Sequence, residues 1–586
     1  MENKKNSIPN YEVLDTRNRY FVPFEFPKDF EFDAVCQNID DKRYEDGGHW
    51  VRSAVRSDNK GNGEDEDDDL FRLIVDEFTM LEQERNANKL GCHWLYKVAD
   101  GGSVLNFFYH QADGKFSMQV DIAEMGLYIF RTGIGILWYQ VVFKPDNDQT
   151  MDSERLISFQ HIFNKLNDDI HIRMWMDNCL CLNPASSRAS QILSKTAKAC
   201  GDGELVSVLP DERLPFSLGN WLAEQLSFLQ VEYFFQRKNH YPKDLMTYYE
   251  RSRHDYIIPE DISYKVRKKC KERDELIKGY LEDVQGKMAE SAFYKQFPAM
   301  CPNKGIIFSY TYFKSDEEDA DVKEQAHIVY LLANGYNRNF NYSDHVRATM
   351  KKPFKNVFWY ATREGGGYYA FEKADNYFYG EVAPRKIRAN YFVLMVKVLY
   401  QSYSLLHFTH LLSGSEISVD YRDYMAIEDD ENIDKELRKH LSKLRSMINV
   451  FLLKSIVTSV GHVQHLNEYY SYLEKQFYIK EDIESVTAGL DVMDDLVKEQ
   501  MEKDKVQLEK AEEKREARKY QKLQIVLAVI AGFTMASTIS DTHAFLNARD
   551  TNQIIEYEYI IFGLYLVVLL GTVIWLFGTN KKGEGQ

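Results

Sequence analysis

The sequence has few cysteines and no surplus of positive charge. Seven cysteines in 586 residues, an odd number, include one Cys179-Leu180-Cys181 pair with no second Cys or His pair at zinc spacing. That excludes a disulfide scaffold and a zinc ribbon, and all seven are expected to be reduced thiols. Lys and Arg number 73 against 90 Asp and Glu, a net charge of −17 at pH 7. Direct DNA or RNA binding is not expected, because counterion release needs a basic face. There is no P-loop, no GxSxG, no HExxH and no paired CxxC, so no catalytic motif presents itself and no enzyme is expected. Gly133-Ile134-Gly135 lacks the third glycine of a dinucleotide fingerprint. The opening MENKKNSIPNYEVLD has no apolar stretch, so no cleavable leader is expected.

What the chain does have is core-forming material, 44% hydrophobic and 14% aromatic, in a length suited to more than one domain. Runs such as HWLYKV, SVLNFFYH, KFSMQVDI, GLYIFRT and GILWYQVVF predict strands between 92 and 146, separated by glycine-containing turns. Residues 154–168 read as a helix, and Ser217 as the cap of another over 218–235. A second strand group is expected at 305–313, 326–333, 356–362 and 367–372, with a hairpin turn at Arg363–Gly367. A long helix over 385–412 follows Pro384.

The C-terminal part reads differently. Residues 432–476 and 480–522 are helical in composition, and no breaker separates the second tract from the uncharged run 523–540, LQIVLAVIAGFTMASTIS. One helix over about 480–540 would be roughly 90 Å long. A second uncharged run of 20 residues covers 559–578. Both are long enough to cross a bilayer. Basic flanks (Lys514 to Lys522, then Lys581 and Lys582) predict cytoplasmic ends and a short outer loop, in the inner membrane. Ala528, Gly532, Ala536 and Ser540 make an edge for close helix packing, while Gln524, Leu527, Ala531, Thr534, Thr538 and Asp541 form a polar stripe. The stripe suits either the lining of an oligomeric pore or a helix-packing anchor without conduction.

The sharpest local feature lies between Tyr336 and Arg363. Arg338, Arg347, Lys351, Lys352, Lys355 and Arg363 face a single acid, Asp344, and Trp359 and Tyr360 interleave with them. Cations hold phosphates and flat rings stack on bases, so this segment suits a small phosphorylated nucleotide; a solvated basic face is the plainer alternative. The acidic runs at 64–69, 316–319 and 428–431 lack an EF-hand pattern but are candidates for sensing Mg2+ or another divalent cation across subunits. His407 and His410 sit one helical turn apart with no acidic third ligand beside them in sequence.

Together these features predict an α+β, α/β-like cytoplasmic domain (1–300, with a second part 301–425), a helical stalk (426–522), a pore-lining span (523–540), an outer loop (541–558), a second span (559–578) and a tail (579–586). The plan resembles the CorA family of divalent-cation channels over about the last 150 residues. The resemblance implies a homo-oligomer, a pentamer, whose first span lines the pore. The family's Gly-Met-Asn filter is absent: Gly532-Phe533-Thr534-Met535 lie inside the span and Ser540-Asp541-Thr542 at its end. This departure and the long cytoplasmic region are similar to the divergent CorA-like effectors of type III CRISPR systems. That resemblance implies an antiviral channel or membrane-disrupting protein, activated by a nucleotide messenger made on viral RNA detection, of which an S-adenosylmethionine–AMP conjugate is one form. A constitutive Mg2+ or Co2+ transporter and a membrane-tethered enzyme or signalling scaffold are the alternatives.

Overall fold

The computed structural model of the chain describes residues 10–27, 30–44, 48–52, 90–98, 102–110, 116–146, 149–166, 180–182, 218–238, 300–315, 322–340, 342–343, 349–413, 431–456, 460, 463–546, 563, 567 and 571. It divides into two compact units, Met1–Asp491 and Val492–Gln586.

Strand β1 (Val13–Glu25) organises the first unit. Side chains alternate between the faces of a strand, and here both faces are buried. Tyr20, Val22 and Phe24 enter one apolar cluster and Phe21 enters the other. Further elements are α1 (Phe32–Asp41), β2 (His49–Arg52), β3 (Gly91–Lys97), β4 (Leu105–His110), β5 (Ser117–Phe130), β6 (Ile134–Pro145), α2 (Ser153–Asn164), β7 (Leu180–Leu182) and α3 (Leu218–Leu226). Then come β8 (Glu232–Tyr233), β9 (Gln236–Lys238), β10 (Met300–Pro302), β11 (Ile306–Lys314), α4 (Val322–Asn334), β12 (Lys351–Phe354), β13 (Val357–Thr362) and β14 (Gly365–Glu372). The helices α5 (Phe392–Ser413), α6 (Glu431–Ser455), α7 (Gln464–Gln476) and α8 (Ile479–Leu546) follow.

Among the described residues twelve strands form one sheet, with the main order β12-β13-β14-β11-β1-β6-β5-β3-β2. It is antiparallel except where β11 runs parallel to β14. That pair is joined through α4, as a parallel pair needs a crossover. One face carries α1, α2, α3 and α4; the other carries α5, α6, α7 and the first turns of α8. The first unit is thus a mixed sheet with a helical layer on each face. Because β1 pairs with β11, residues on both sides of position 300 share one sheet.

Three local expectations change. Residues 326–333, expected as a strand, lie in α4: the run is buried almost all round, so its apolar pattern does not distinguish the two periods. The helix expected over 218–235 ends at Leu226, and Gln230 (φ 52°) turns the chain into β8. KFSMQVDI and GLYIFRT are one strand, β5, with a bulge between Ile122 and Glu124. The glycine that looked like a turn, Gly126, lies mid-strand because a Cβ there would fall 2.3 Å from the indole nitrogen of Trp138.

The largest correction concerns the C-terminus. Residues 523–540 continue α8 without a break. Two membrane spans were expected, yet among the described residues no helix is long and apolar enough to cross a membrane. Charged turns dominate α8 before residue 523, and the run after it holds Gln524, Thr534, Ser537, Thr538 and Ser540. The structure therefore does not support the expected two-span inner-membrane arrangement or the location that follows from it. The expected second span, 559–578, lies outside the described residues apart from positions 563, 567 and 571, as do 547–558 and the tail 579–586.

Candidate functional site

The basic and aromatic segment is divided by the sheet. Trp359 and Tyr360 are neighbours on β13, so they point to opposite faces. Trp359 packs edge-on to Tyr469 at 5.0 Å in one cluster, and Tyr360 packs near Tyr330 at 6.2 Å in the other. Both are buried, and neither offers a ring to a ligand. Arg338 pairs with Glu154 of α2. Arg347 lies outside the described residues.

Arg363 occupies the two-residue turn between β13 and β14, where it clamps two helices together. Its Nη2 donates to the Phe477 carbonyl at 3.2 Å, at the C-terminus of α7, and to Asp482 Oδ2 at 2.7 Å, in the first turn of α8. Its guanidinium lies 5.1 Å from the ring of Tyr478, the joint residue, which takes a left-handed φ of 57°. Burial raises the Asp482 pKa from the ordinary carboxylate value, and Arg363 opposes that shift.

What remains together is the edge strand. Among the described residues β12 pairs only with β13, and Lys351 and Lys352 on it and Lys355 just after it are all exposed. Among the described residues none of the three has a carboxylate partner. Partial burial, and then the like charge of Lys355, lower the Lys352 pKa from the usual lysine value. Phe354, between Lys352 and Lys355, exposes 47% of its surface. It is the flat ring that Trp359 and Tyr360 do not supply. Sequence reasoning passed over it, although its place between two lysines on a four-residue strand was the available signal.

Tyr472 of α7 ties this edge to the helical layer. Lys351 Nζ stands 5.5 Å from its ring centre. The Tyr472 hydroxyl accepts from the Ala361 N–H at 3.1 Å and donates to the Thr349 carbonyl at 3.0 Å. Lys352 covers Phe358 at 5.1 Å.

Of the stripe assigned to a pore, Gln524, Leu527, Ala531 and Thr534 are exposed on α8. The Thr534 hydroxyl donates to the carbonyls of Ile530 and Ala531, at 3.2 and 2.9 Å, which satisfies it within its own helix. Thr538 and Asp541 are helical, but their side chains lie outside the description.

The histidine pair gains the acid that its sequence neighbourhood lacked. Glu25, at the end of β1, is hydrogen-bonded to His407 Nδ1 at 2.8 Å, and its other oxygen lies 3.7 Å from His410 Nδ1. The contact ties α5 to the sheet. Among the described residues no group of three or more His, Cys, Asp or Glu is placed to hold a metal ion. The acidic runs proposed to sense a cation, 64–69, 316–319 and 428–430, lie outside the described residues.

No family model, no curated protein and no solved structure matches this chain.

Proposed function

We propose that the chain is a nucleotide-responsive effector that binds its ligand without turnover. A small phosphorylated nucleotide sits on the edge of the sheet, its phosphates on Lys351, Lys352 and Lys355 and its base against Phe354. The response passes to α7 and the first turns of α8. One observation carries this reading: Lys351, one of the exposed lysines, stands against Tyr472 of α7, while Arg363 from the next turn holds the joint between α7 and α8. A ligand drawing on Lys351 acts on the hydrogen bonds of Tyr472 directly.

The resemblance set out above supplies the ligand class and the setting: a nucleotide messenger in type III CRISPR defence, with several copies of the chain acting together. Conduction through a membrane forms no part of the proposal.

Calorimetric titration of the full chain with AMP, ATP and an S-adenosylmethionine–AMP conjugate tests it. At least one binds the wild type, the double variant Lys351→Glu/Lys352→Glu loses binding, and Phe354→Ala weakens it. All three side chains are exposed, so folding is retained. Binding by the double variant equal to wild type sinks the site.

A second reading has its own support. Lysines on a short edge strand stop other strands from pairing with it, and β12 is four residues long. Under that reading none of the nucleotides binds, and Lys351→Val/Lys352→Val promotes aggregation.

A further inference from the structure

The face of the sheet that carries α5 holds a charged row where the pattern calls for apolar side chains. Glu124, Gln140 and Arg19 stand opposite one another on β5, β6 and β1. Arg19 is 5% exposed. Its Nε donates to Gln140 Oε1 at 2.9 Å, and its guanidinium stacks on the ring of Phe392 at 4.0 Å, with Trp138 at 5.3 Å. These contacts fix the plane of the group but use only one of its five N–H bonds. The terminal nitrogens have no hydrogen-bond acceptor among the described residues: Glu124 Oε2 stands 3.9 Å from Nη2, beyond hydrogen-bond reach. That oxygen is itself buried without a hydrogen-bond partner.

The charge balance is also incomplete. Glu124 gives its other oxygen to Arg388 at 2.8 Å, so two guanidiniums share one carboxylate. Arg17, the next cation on this face of β1, is already neutralised by Asp15 at 3.4 Å. Burial first, and then the nearby Arg388 and Arg17, bring the Arg19 pKa down to about 10, partly offset by Glu124; it stays charged at neutral pH. Buried charges are normally paired, and an unpaired one is costly. Arg388 is mostly exposed and lies in Ile387–Tyr391, one of two π-helical turns leading into α5. Such turns are rare and frequent at functional sites.

We propose that Arg19 and Arg388 form a binding site for the oxyanion group of a small ligand, a phosphate or a carboxylate. Arg19 meets it with a fork held rigid by Gln140 and Phe392. Arg388 swings from Glu124 to close over it. Glu124 is the built-in competitor, holding Arg388 when no anion is bound. This site uses none of the residues of the lysine edge and stands or falls separately.

The test is calorimetric titration of the full chain with inorganic phosphate and, in a parallel arm, malonate; the arm that binds names the source of the oxyanion. Arg388→Ala weakens binding by about tenfold or more. Glu124→Gln, which releases Arg388, tightens it. Arg19→Gln abolishes it, with circular dichroism to check the fold; if that variant does not fold, the opposite effects of the other two decide. Failure of both anions to bind at tens of millimolar overturns the site, as does an Arg388→Ala protein that binds like wild type.

Discussion

At the scale of residues, the division between structural and free cations is the main result. Arg363 and Lys351 look alike in the sequence, yet one is spent on a helix joint and the other is not. Arg363→Ala removes a charge-assisted bond to Asp482 and a cap on the Phe477 carbonyl. The pair is about half exposed, so the expected loss is about 1 kcal/mol by urea denaturation; an unchanged midpoint contradicts the clamp. His93 gives a pH prediction. It stacks on Tyr128 at 4.0 Å and accepts the Trp138 indole N–H at 3.3 Å. Burial first, then the charge of Arg19, lower its pKa to about 3 from an ordinary 6.5. Between those values the unfolded chain binds a proton that the folded one refuses. The contribution of His93 is therefore whole above pH 6.5 and is lost as pH falls towards 3, by at most about 1.4 kcal/mol per unit. His93→Gln keeps an acceptor for Trp138 but cannot titrate. The wild type loses stability faster than this variant between pH 6.5 and 4; equal slopes contradict the argument. The basic segment was legible at this scale as composition. Its division was not, because two residues adjacent in sequence face opposite sides of a strand only once the strand is known.

Elements were legible where period and punctuation agreed. The hairpin turn at Arg363, the strand leading into it and the helix ahead of Ser413 follow from glycines, aromatics and Pro384. They were illegible where a segment is buried on every side, as in α4, since such a run carries no period. Glycine misled in β5, where Gly126 makes room for an indole rather than a turn. Gly126→Ala places a methyl group against Trp138 and costs about 1–3 kcal/mol. Gly102→Ala, with nothing within 4 Å of its Cβ, changes stability by less than about 0.5 kcal/mol. Matching losses in the two variants would refute the packing argument.

For the whole molecule, composition indicated a folded chain, because 44% hydrophobic residues can bury a core, and the succession of strand-like and helical runs indicated its mixed α/β class. The sheet order was beyond sequence reasoning, since the partnership of β1 with β11 spans almost 300 residues. The membrane assignment rested on uncharged length alone, and no described helix is long and apolar enough to support it. What joins the functional proposal to the fold is the chain of contacts from Lys351 through Tyr472, and from Arg363 to the α7–α8 joint. Hydrogen–deuterium exchange over residues 463–491, with and without the nucleotide that binds, tests that chain most directly. A ligand-dependent change in protection at 469–486 that disappears in Lys351→Glu/Lys352→Glu is the expected result. A bound nucleotide that leaves exchange in this segment untouched would contradict the account.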